Sequence, residues 1–374
     1  MILTQFAALA RRLRAAVSVS ILVSLTGLFA SASPVLAQKL PVAPVTPRWM
    51  NVPNVAEHLR APDIGLVINT ADPYSVAVGE HYIKARGLLS SQVLRIELPV
   101  ANALSGEDFT KLNAAIDARF DNRIQALALA WKAPFAVGCN AITGALTLGQ
   151  DESQCANTCR PGKLSPYFNA AVARPYTALR MRLSMLLAAK DVDGAIAMID
   201  RGVRSDRSLA FRGGQPVHAY YLKTSDPNRS ARAPLFPPAG FVRQVGIDVH
   251  VDQADSLDSP KRVLLYETGL VSVPKLDQIE WVPGALADHL TSFGGVLSND
   301  MGQMSALEWI ASGATATYGT VSEPCAHPQK FPHPQIVLLN YVQGATAIEA
   351  YWRSVAWPVQ GLFIGEPLAA PYAR

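Results

Sequence analysis

Short apolar runs and amphipathic segments alternate along most of the chain after about residue 60. Residues 64–69 form an apolar run of strand length. Helix-start chemistry follows at once, with Asp72 as the cap, Pro73 at the first helical position and Gly87 as the stop. The pattern predicts a strand, a turn and a helix.

The same unit recurs directly afterwards. A strand is predicted over 93–98, a helix over 105–120, and a nearly all-apolar strand over 124–131. Such a strand is typical of a parallel sheet covered on both faces. The alternation predicts an α/β fold with three layers, in which a mostly parallel sheet has helices on both faces.

This rhythm breaks between about residues 134 and 215, where three of the four cysteines lie. We expect an insertion there, held by a disulfide and containing helices over 176–189 and 191–201, with Gly202 as a stop. The sheet pattern then resumes. Strands are predicted over 217–223, 262–267, 295–298, 314–320 and 362–365, and helices over 301–312, 335–343 and 346–355.

The N-terminus has the pattern of a secretory signal peptide. Arg11, Arg12 and Arg14 precede a weakly apolar stretch over 15–29, and small residues lead to a Val35-x-Ala37 cleavage pattern. The apolar stretch is shorter than the ~20 residues that span a bilayer. We therefore predict a signal peptide over 1–37, a Pro-rich spacer over 38–60 and one α/β domain over 61–374. The protein is expected in the periplasm or outside the cell, with no transmembrane segment after cleavage.

Composition and charge narrow the class of partner. The chain has 374 residues, of which 49% are hydrophobic and 17% charged, which excludes an intrinsically disordered protein. Its formal charge is +4, but residues 1–37 contain three Arg and no acid, so 30 basic and 29 acidic residues remain. A nucleic-acid partner, which needs a concentrated basic face, is not expected.

Four cysteines in an exported chain predict two disulfides. Cys139, Cys155 and Cys159 are close in sequence and Cys325 is remote, so the three pairings stay open. A metal site on the first three is the alternative, but no His lies between residues 82 and 217 to complete it. The motifs assign neither a metal nor a cofactor.

The string 288–295 carries the strongest catalytic pattern. Asp288, His289 and Ser292 place an acid, an imidazole and a hydroxyl before two glycines, which let a backbone approach a substrate closely. These three residues are the catalytic candidates. The alternative is a hydrogen-bonded turn that shapes the edge of the sheet.

Binding candidates are polar residues at the predicted strand ends and in the loop 225–232. Asn69 and Asp72 follow the first strand, with a helix cap as the alternative. Arg229 and Arg232 offer guanidinium forks for carboxylates, with a solvated face as the alternative.

The loop after the strand 314–320 supplies the remaining binding candidates, Glu323 and His327. Cys325, His327 and His333 could also bind a metal, but three prolines in the loop favour a rigid turn.

Several strings in one order resemble a known family and cover roughly residues 63–373. They are residues 68–82, 86–87, 131–140, 165–168, 185–189, 200–202, 284–295 (GALADHLTSFGG), 302–305, 318–325 (YGTVSEPC), 330–332 and 365–369. The chain resembles a bacterial family of unknown function that is found in genomes carrying exosortase, the envelope protein-sorting system. The resemblance implies an exported protein associated with envelope sorting and no established activity.

The C-terminal third more distantly resembles caspase-like peptidases of the gingipain type. Those peptidases have a strand ending in Gly-His-Gly, a strand ending in the nucleophilic Cys, a glycine-initiated strand and a closing Gly-Asp-Pro. Residues 266–271 lie where the first motif falls, with Leu270 in the place of the catalytic His, and Ser292 falls near the Cys. Residues 313–316 and 365–367 match the later two motifs. The resemblance implies a caspase-like fold rather than the activity.

These patterns lead to three functional hypotheses, of which the third is a metal-dependent enzyme. The first is an exported, envelope-associated caspase-like protein that is non-catalytic or cryptically catalytic, acts alongside envelope or exosortase-sorted proteins, and binds peptide or glycan. The alternative is a peptidase-like hydrolase that uses Ser292 or Cys325 as nucleophile, with His289, His327 or His333 as base.

Overall fold

A computed structural model describes residues 48–210, 213–298 and 301–374. The predicted signal peptide and residues 38–47 of the spacer lie outside these ranges. Within them the strands are β1 (Ile64–Asn69), β2 (Val93–Ile96), β3 (Ala103–Leu104), β4 (Ala126–Leu129), β5 (Ala136–Val137), β6 (Asn140–Ala141), β7 (Leu183–Leu186), β8 (Val217–Lys223), β9 (Gly240–Val242), β10 (Ile247–Gln253), β11 (Val263–Thr268), β12 (Trp281–His289), β13 (Ala316–Thr320) and β14 (Gly361–Gly365). The helices are α1 (Pro73–Arg86), α2 (Gly106–Arg119), α3 (Ile142–Leu148), α4 (Glu152–Ala156), α5 (Pro175–Leu179), α6 (Val192–Ser205), α7 (Leu307–Ser312), α8 (Pro334–Val342) and α9 (Ala347–Ser354).

Eleven strands form one sheet in the order β2-β1-β4-β7-β14-β13-β12-β11-β8-β10-β9. Neighbours are parallel except at β13–β14 and at β10–β9. The prediction of an α/β fold with a mostly parallel sheet is confirmed. The β13–β14 pair reverses the strand direction, so the carboxyl ends of β1, β4 and β7 lie at the edge opposite to those of β11, β12 and β13.

Local chemistry sets the helix ends where the sequence predicted them. Asp72 accepts a hydrogen bond from the Tyr74 backbone N–H at the start of α1, and Gly87 ends the helix in the left-handed conformation, at φ 63°. Ser105 caps α2 by accepting from the Asp108 N–H. Strand β8 has the predicted bounds.

The predicted helix over 176–189 is wrong. The chain forms the short helix α5 and then strand β7, whose four residues are all buried between β4 and β14. Pairing on both sides outweighs helix propensity in this apolar segment. The segment 134–215 therefore contributes a strand to the main sheet.

Gly202 does not stop a helix, because α6 continues to Ser205. A Cβ at residue 202 would lie 2.5 Å from Cγ of Glu366. Glycine is needed there so that the loop after β14 can approach the helix.

The predicted strand over 295–298 is also wrong, since turns occupy those residues. The strand that fills this part of the sheet is β12, which carries Asp288 and His289 at its carboxyl end. The sequence did not predict β12 because the strand contains Pro283 and Gly284, and both residue types are typical of turns.

Two disulfides are present, as predicted, and they settle the pairing that the sequence left open. Cys139 bonds to Cys155, and Cys159 bonds to Cys325. The second bridge ties the 134–215 segment to the loop that follows β13. Among the described residues, no helix is long and apolar enough to cross a membrane.

Candidate functional site

The carboxyl ends of β8, β11, β12 and β13 meet at one edge of the sheet. We call this edge, together with the loops that follow the four strands, the carboxyl edge. Strands β11 and β12 are parallel and in register, with Glu267 opposite Asp288 and Thr268 opposite His289. Ligands of open α/β sheets bind at such edges. This edge is therefore the candidate functional site.

A buried guanidinium lies beneath the carboxyl edge. Nη2 of Arg232 is 2.6 Å from Oδ1 of Asp288, and Nη1 is 3.3 Å from Oε2 of Glu267. The same guanidinium donates to the Thr268 carbonyl oxygen at 3.0 Å and to the Pro332 carbonyl oxygen at 3.2 Å. Arg232 thus joins its own loop to β11, β12 and the segment before α8.

Two carboxyl groups share this single cation. Burial raises the pKa of Glu267 well above its usual range against the attraction of Arg232, and repulsion from Asp288 raises it further. Burial also raises the pKa of Asp288, while Arg232 opposes the shift. Among the described residues neither oxygen of Glu267 accepts a hydrogen bond. The cluster therefore holds one guanidinium between two carboxyl groups whose pKa values burial raises, that of Glu267 the more strongly.

The imidazole of His289 is enclosed on both sides. Its Nδ1 accepts a hydrogen bond from Nε1–H of Trp309 at 2.9 Å, and its Nε2 lies 3.2 Å from the Met304 carbonyl oxygen. Because that carbonyl can only accept, Nε2 carries the proton. Burial lowers the pKa of His289 to about 3, although the bond to Met304 opposes the shift. The ring is neutral, and both nitrogens are engaged.

Ser292 is partly exposed in the loop just beyond β12. Its carbonyl oxygen accepts a hydrogen bond from Oγ1 of Thr320 at 2.9 Å. Within the described ranges no hydrogen bond joins the Ser292 hydroxyl to an imidazole. The structure therefore places Asp288, His289 and Ser292 at one edge, but with no base on the hydroxyl.

Polar groups form a rim on the carboxyl edge, made of Arg229, Thr291 and Gln303. Nε of Arg229 donates to Oγ1 of Thr291 at 3.2 Å, and Thr291 donates to Oε1 of Gln303 at 2.6 Å. Nη1 of Arg229 lies 2.7 Å from Oδ2 of Asp226, and 22% of the Arg229 side chain is exposed. The rim thus presents a positioned guanidinium and an amide, both held by the buried Thr291 hydroxyl.

Leu270 stands at the position where the gingipain resemblance places a catalytic His. It is partly buried and packs on a small apolar cluster that includes Trp309 and Met304. The preceding Gly269 is enclosed, since a Cβ there would meet the Arg229 carbonyl oxygen at 1.9 Å. The rim loop therefore lies directly against the start of the Leu270 loop.

Glu323, His327 and Cys325 are in a separate loop, beside the second disulfide. Oε1 of Glu323 accepts from the Cys325 backbone N–H at 2.7 Å, and Nε2 of His327 donates to the Cys159 carbonyl oxygen at 2.9 Å. Cys325 is in the disulfide and offers no thiol while that bond is intact. No hydrogen bond or ion pair between described residues links this loop to His289 or Ser292.

His333, the remaining candidate base, is at the start of α8, and burial lowers its pKa to about 4. Like His289, it is neutral near pH 7.

Asn69 and Asp72 lie at the opposite edge of the sheet, at the end of β1. Asn69 is buried, donating to the Leu98 carbonyl oxygen at 3.1 Å and accepting from the Leu98 and Ala71 N–H groups. Asp72 caps α1. Both side chains therefore hold local structure, which is the helix cap and supporting amide named above as the alternative to ligand binding.

Sequence reasoning missed Glu267 and a cluster of His218, Asp248 and His250. Glu267 ends an apolar strand and carries no motif of its own. The signal for the cluster is the alternation Asp-x-His-x-Asp over residues 248–252, which indicates a strand with one polar face.

No protein-family model, curated protein or solved structure matches this chain.

Proposed function

We propose that this protein is an exported, non-catalytic, caspase-like binding protein of the bacterial envelope, acting on proteins of the exosortase sorting system. Its ligand is a peptide segment with an acidic side chain, bound at the carboxyl edge. The fold class, the two disulfides and the family resemblance support this proposal.

The proposal that the protein is non-catalytic is supported by the protonation and hydrogen bonding of His289. A general base must accept a proton from its nucleophile, and efficient bases have a pKa near the working pH. His289 has a strongly lowered pKa, and its Nδ1 is occupied by the indole N–H of Trp309. Leu270 supplies no second imidazole.

The proposal that the protein binds an acidic peptide is supported by the polar rim. A guanidinium donates strong, charge-assisted hydrogen bonds to carboxylates, and Thr291 and Asp226 hold Nε and Nη1 of Arg229 so that Nη2 is the nitrogen left to meet a ligand. Apolar side chains are exposed in the same loops, at Val271 and Met301. A charged fork beside apolar side chains suits an acidic peptide better than a neutral glycan.

A binding experiment on the mature protein tests the proposal. Peptides that differ only in carrying Glu, Gln or Lys at one position are titrated against wild type, Arg229→Gln and Arg243→Gln. We expect the Glu peptides to bind best and Arg229→Gln to weaken them about tenfold, which is ~1.4 kcal/mol. Arg243 is exposed and precedes β10, so it is the matched control and should change nothing.

Equal binding of the Glu and Lys peptides, or an unaffected Arg229→Gln variant, contradicts the acidic-peptide proposal. Binding confined to a glycan array assigns the other ligand class. N-terminal sequencing of the protein from its native host tests export, with Gln38 as the expected first residue.

A hydrolase is the competing function, favoured by the partial exposure of Ser292 at the carboxyl edge. The same peptides are followed by mass spectrometry with wild type and Ser292→Ala. Our proposal expects intact peptides with both proteins. Cleavage that disappears in Ser292→Ala would establish the hydrolase instead.

A further inference from the structure

We propose that His218, Asp248 and His250 bind a divalent transition-metal ion. His218 and Asp248 are the second residues of β8 and β10, and His250 is the middle residue of β10. This inference is independent of the proposed binding function.

Strand pairing brings the three side chains together. Strands β8 and β10 are parallel, with His218 directly opposite Asp248 and Tyr220 opposite His250. Since alternate residues of a strand share a face, all three side chains project from the same face. One ligand atom from each lies within 4.8 Å of the others.

The distances suit one shared ion. Nδ1 of His218 is 3.0 Å from Nε2 of His250, and Nε2 of His250 is 3.6 Å from Oδ2 of Asp248. Two nitrogens bound tetrahedrally at the usual Zn–N length are ~3.3 Å apart. The two nitrogens therefore need to separate by only a few tenths of an ångström, while the rings turn so that both lone pairs point at an ion beside the line that joins them.

A neighbouring aromatic ring orients one of the three ligand residues, and solvent can reach the cluster. The ring of Tyr220 stacks on that of His250, with centroids 4.5 Å apart and planes 16° apart, which fixes the orientation of that imidazole. The side chains of His250 and Asp248 are about one third exposed, at 32% and 35%. Water can therefore reach a fourth coordination position.

The ligand set selects the class of ion. Two imidazoles and one carboxylate suit Zn²⁺ and its first-row neighbours, whereas Mg²⁺ and Ca²⁺ prefer oxygen ligands throughout. Three protein ligands and one open position are also the arrangement of zinc sites that bind a water or a substrate.

The test is calorimetric titration of Zn²⁺ into untagged, chelator-treated mature protein, with Mg²⁺ as a parallel titrant. We expect one Zn²⁺ per chain, no Mg²⁺ binding at the same concentrations, and at least tenfold weaker Zn²⁺ binding in His250→Gln and in Asp248→Asn. His81→Gln is the matched control, because His81 also faces a carboxylate, with Nε2 2.7 Å from Oδ1 of Asp200. That variant should bind Zn²⁺ like the wild type.

A second measurement does not depend on the variants folding. Co²⁺ added to the wild-type protein should give the intense visible bands of a four-coordinate site, and equimolar Zn²⁺ should remove them. Absence of a stoichiometric Zn²⁺ site in the wild type, or full affinity in folded His250→Gln and Asp248→Asn, would overturn the proposal.

Discussion

The guanidinium of Arg232 and the carboxylate of Asp288 form an ion pair at 2.6 Å, with each side chain only 2% exposed. Glu267 lies on the other side of the same guanidinium, and because burial raises its pKa well above the usual range we expect it to be protonated at pH 7. Removing one partner of a buried pair leaves an uncompensated charge, whereas replacing a neutral group is cheap.

Arg232→Met should therefore destabilise the protein by about 3 kcal/mol or more at pH 7, while Glu267→Gln should cost less than ~1 kcal/mol. Urea unfolding of both variants measures the difference. In the folded Arg232→Met variant both buried carboxyls should be protonated. The loss of stability should therefore shrink below about pH 4, where the same carboxyls are protonated in the unfolded chain too. Equal costs for the two substitutions would show that Glu267 is ionised.

His289 makes the free energy of unfolding depend on pH. Its pKa in the folded protein is about 3, below the ordinary value of 6.5. Between these two pH values the imidazole is protonated in the unfolded chain and neutral in the folded chain. This contribution is fully present above about pH 6.5 and is lost as the pH falls towards 3, by up to about 1.4 kcal/mol per unit. Comparing urea unfolding of wild type and His289→Gln from pH 4 to pH 8 isolates it.

The His289→Gln variant should lose less stability than wild type as the pH falls from 6.5 to 4. Parallel pH profiles for the two proteins would contradict the lowered pKa.

Gly202 and Glu366 are packed too closely for a side chain. A Cβ at residue 202 meets Cγ of Glu366 at 2.5 Å, and Glu366 is held by hydrogen bonds from Tyr82 and Arg86. Gly202→Ala should cost about 1–3 kcal/mol by overpacking, despite the better helix propensity of alanine. Gly106→Ala, at a helical glycine with nothing within 4 Å, is the control and should be neutral or slightly stabilising in thermal melts.

The two disulfides close loops of very different length. Cys159–Cys325 spans 166 residues and Cys139–Cys155 spans 16. In the loop-entropy account, removing the longer link costs more, by about 2 kcal/mol. Paired alanine variants of each bridge, unfolded under the same conditions, check the order. A larger cost for the short bridge would show that local packing, rather than loop entropy, dominates.

The sequence predicted those features that depend on local chemistry. The caps Asp72 and Ser105 and the stop at Gly87 are determined by backbone groups a few residues away, and β8 is determined by its own composition. Strands β7 and β12 were missed because partners remote in sequence decide them. The parallel-sheet class followed from the alternation of elements, but the reversal at β13–β14 has no local signal.

The candidate site was predictable in its location and not in its chemistry. Asp288, His289 and Ser292 lie at a strand end, as the motif suggested. The state of His289 depends on Trp309 and Met304, which lie 20 and 15 residues further along the chain. The cation between Asp288 and Glu267 comes from Arg232, which the sequence predicted as a ligand-binding residue or part of a solvated face, and not as a buried ion-pair partner.

The position of β14 has a consequence for how the sheet is completed during synthesis. Strands β1, β2, β4 and β7 come from residues 64–186, and β8 to β13 come from residues 217–320, so each half-sheet is contiguous in the chain. The strand that joins them, β14, follows both in sequence yet lies between β7 and β13. Until residue 365 has emerged, two apolar strands have unpaired backbone edges that invite association with other chains. Docking of β14 therefore pairs both of these edges in one step, and β14 is the last of the described strands to become available.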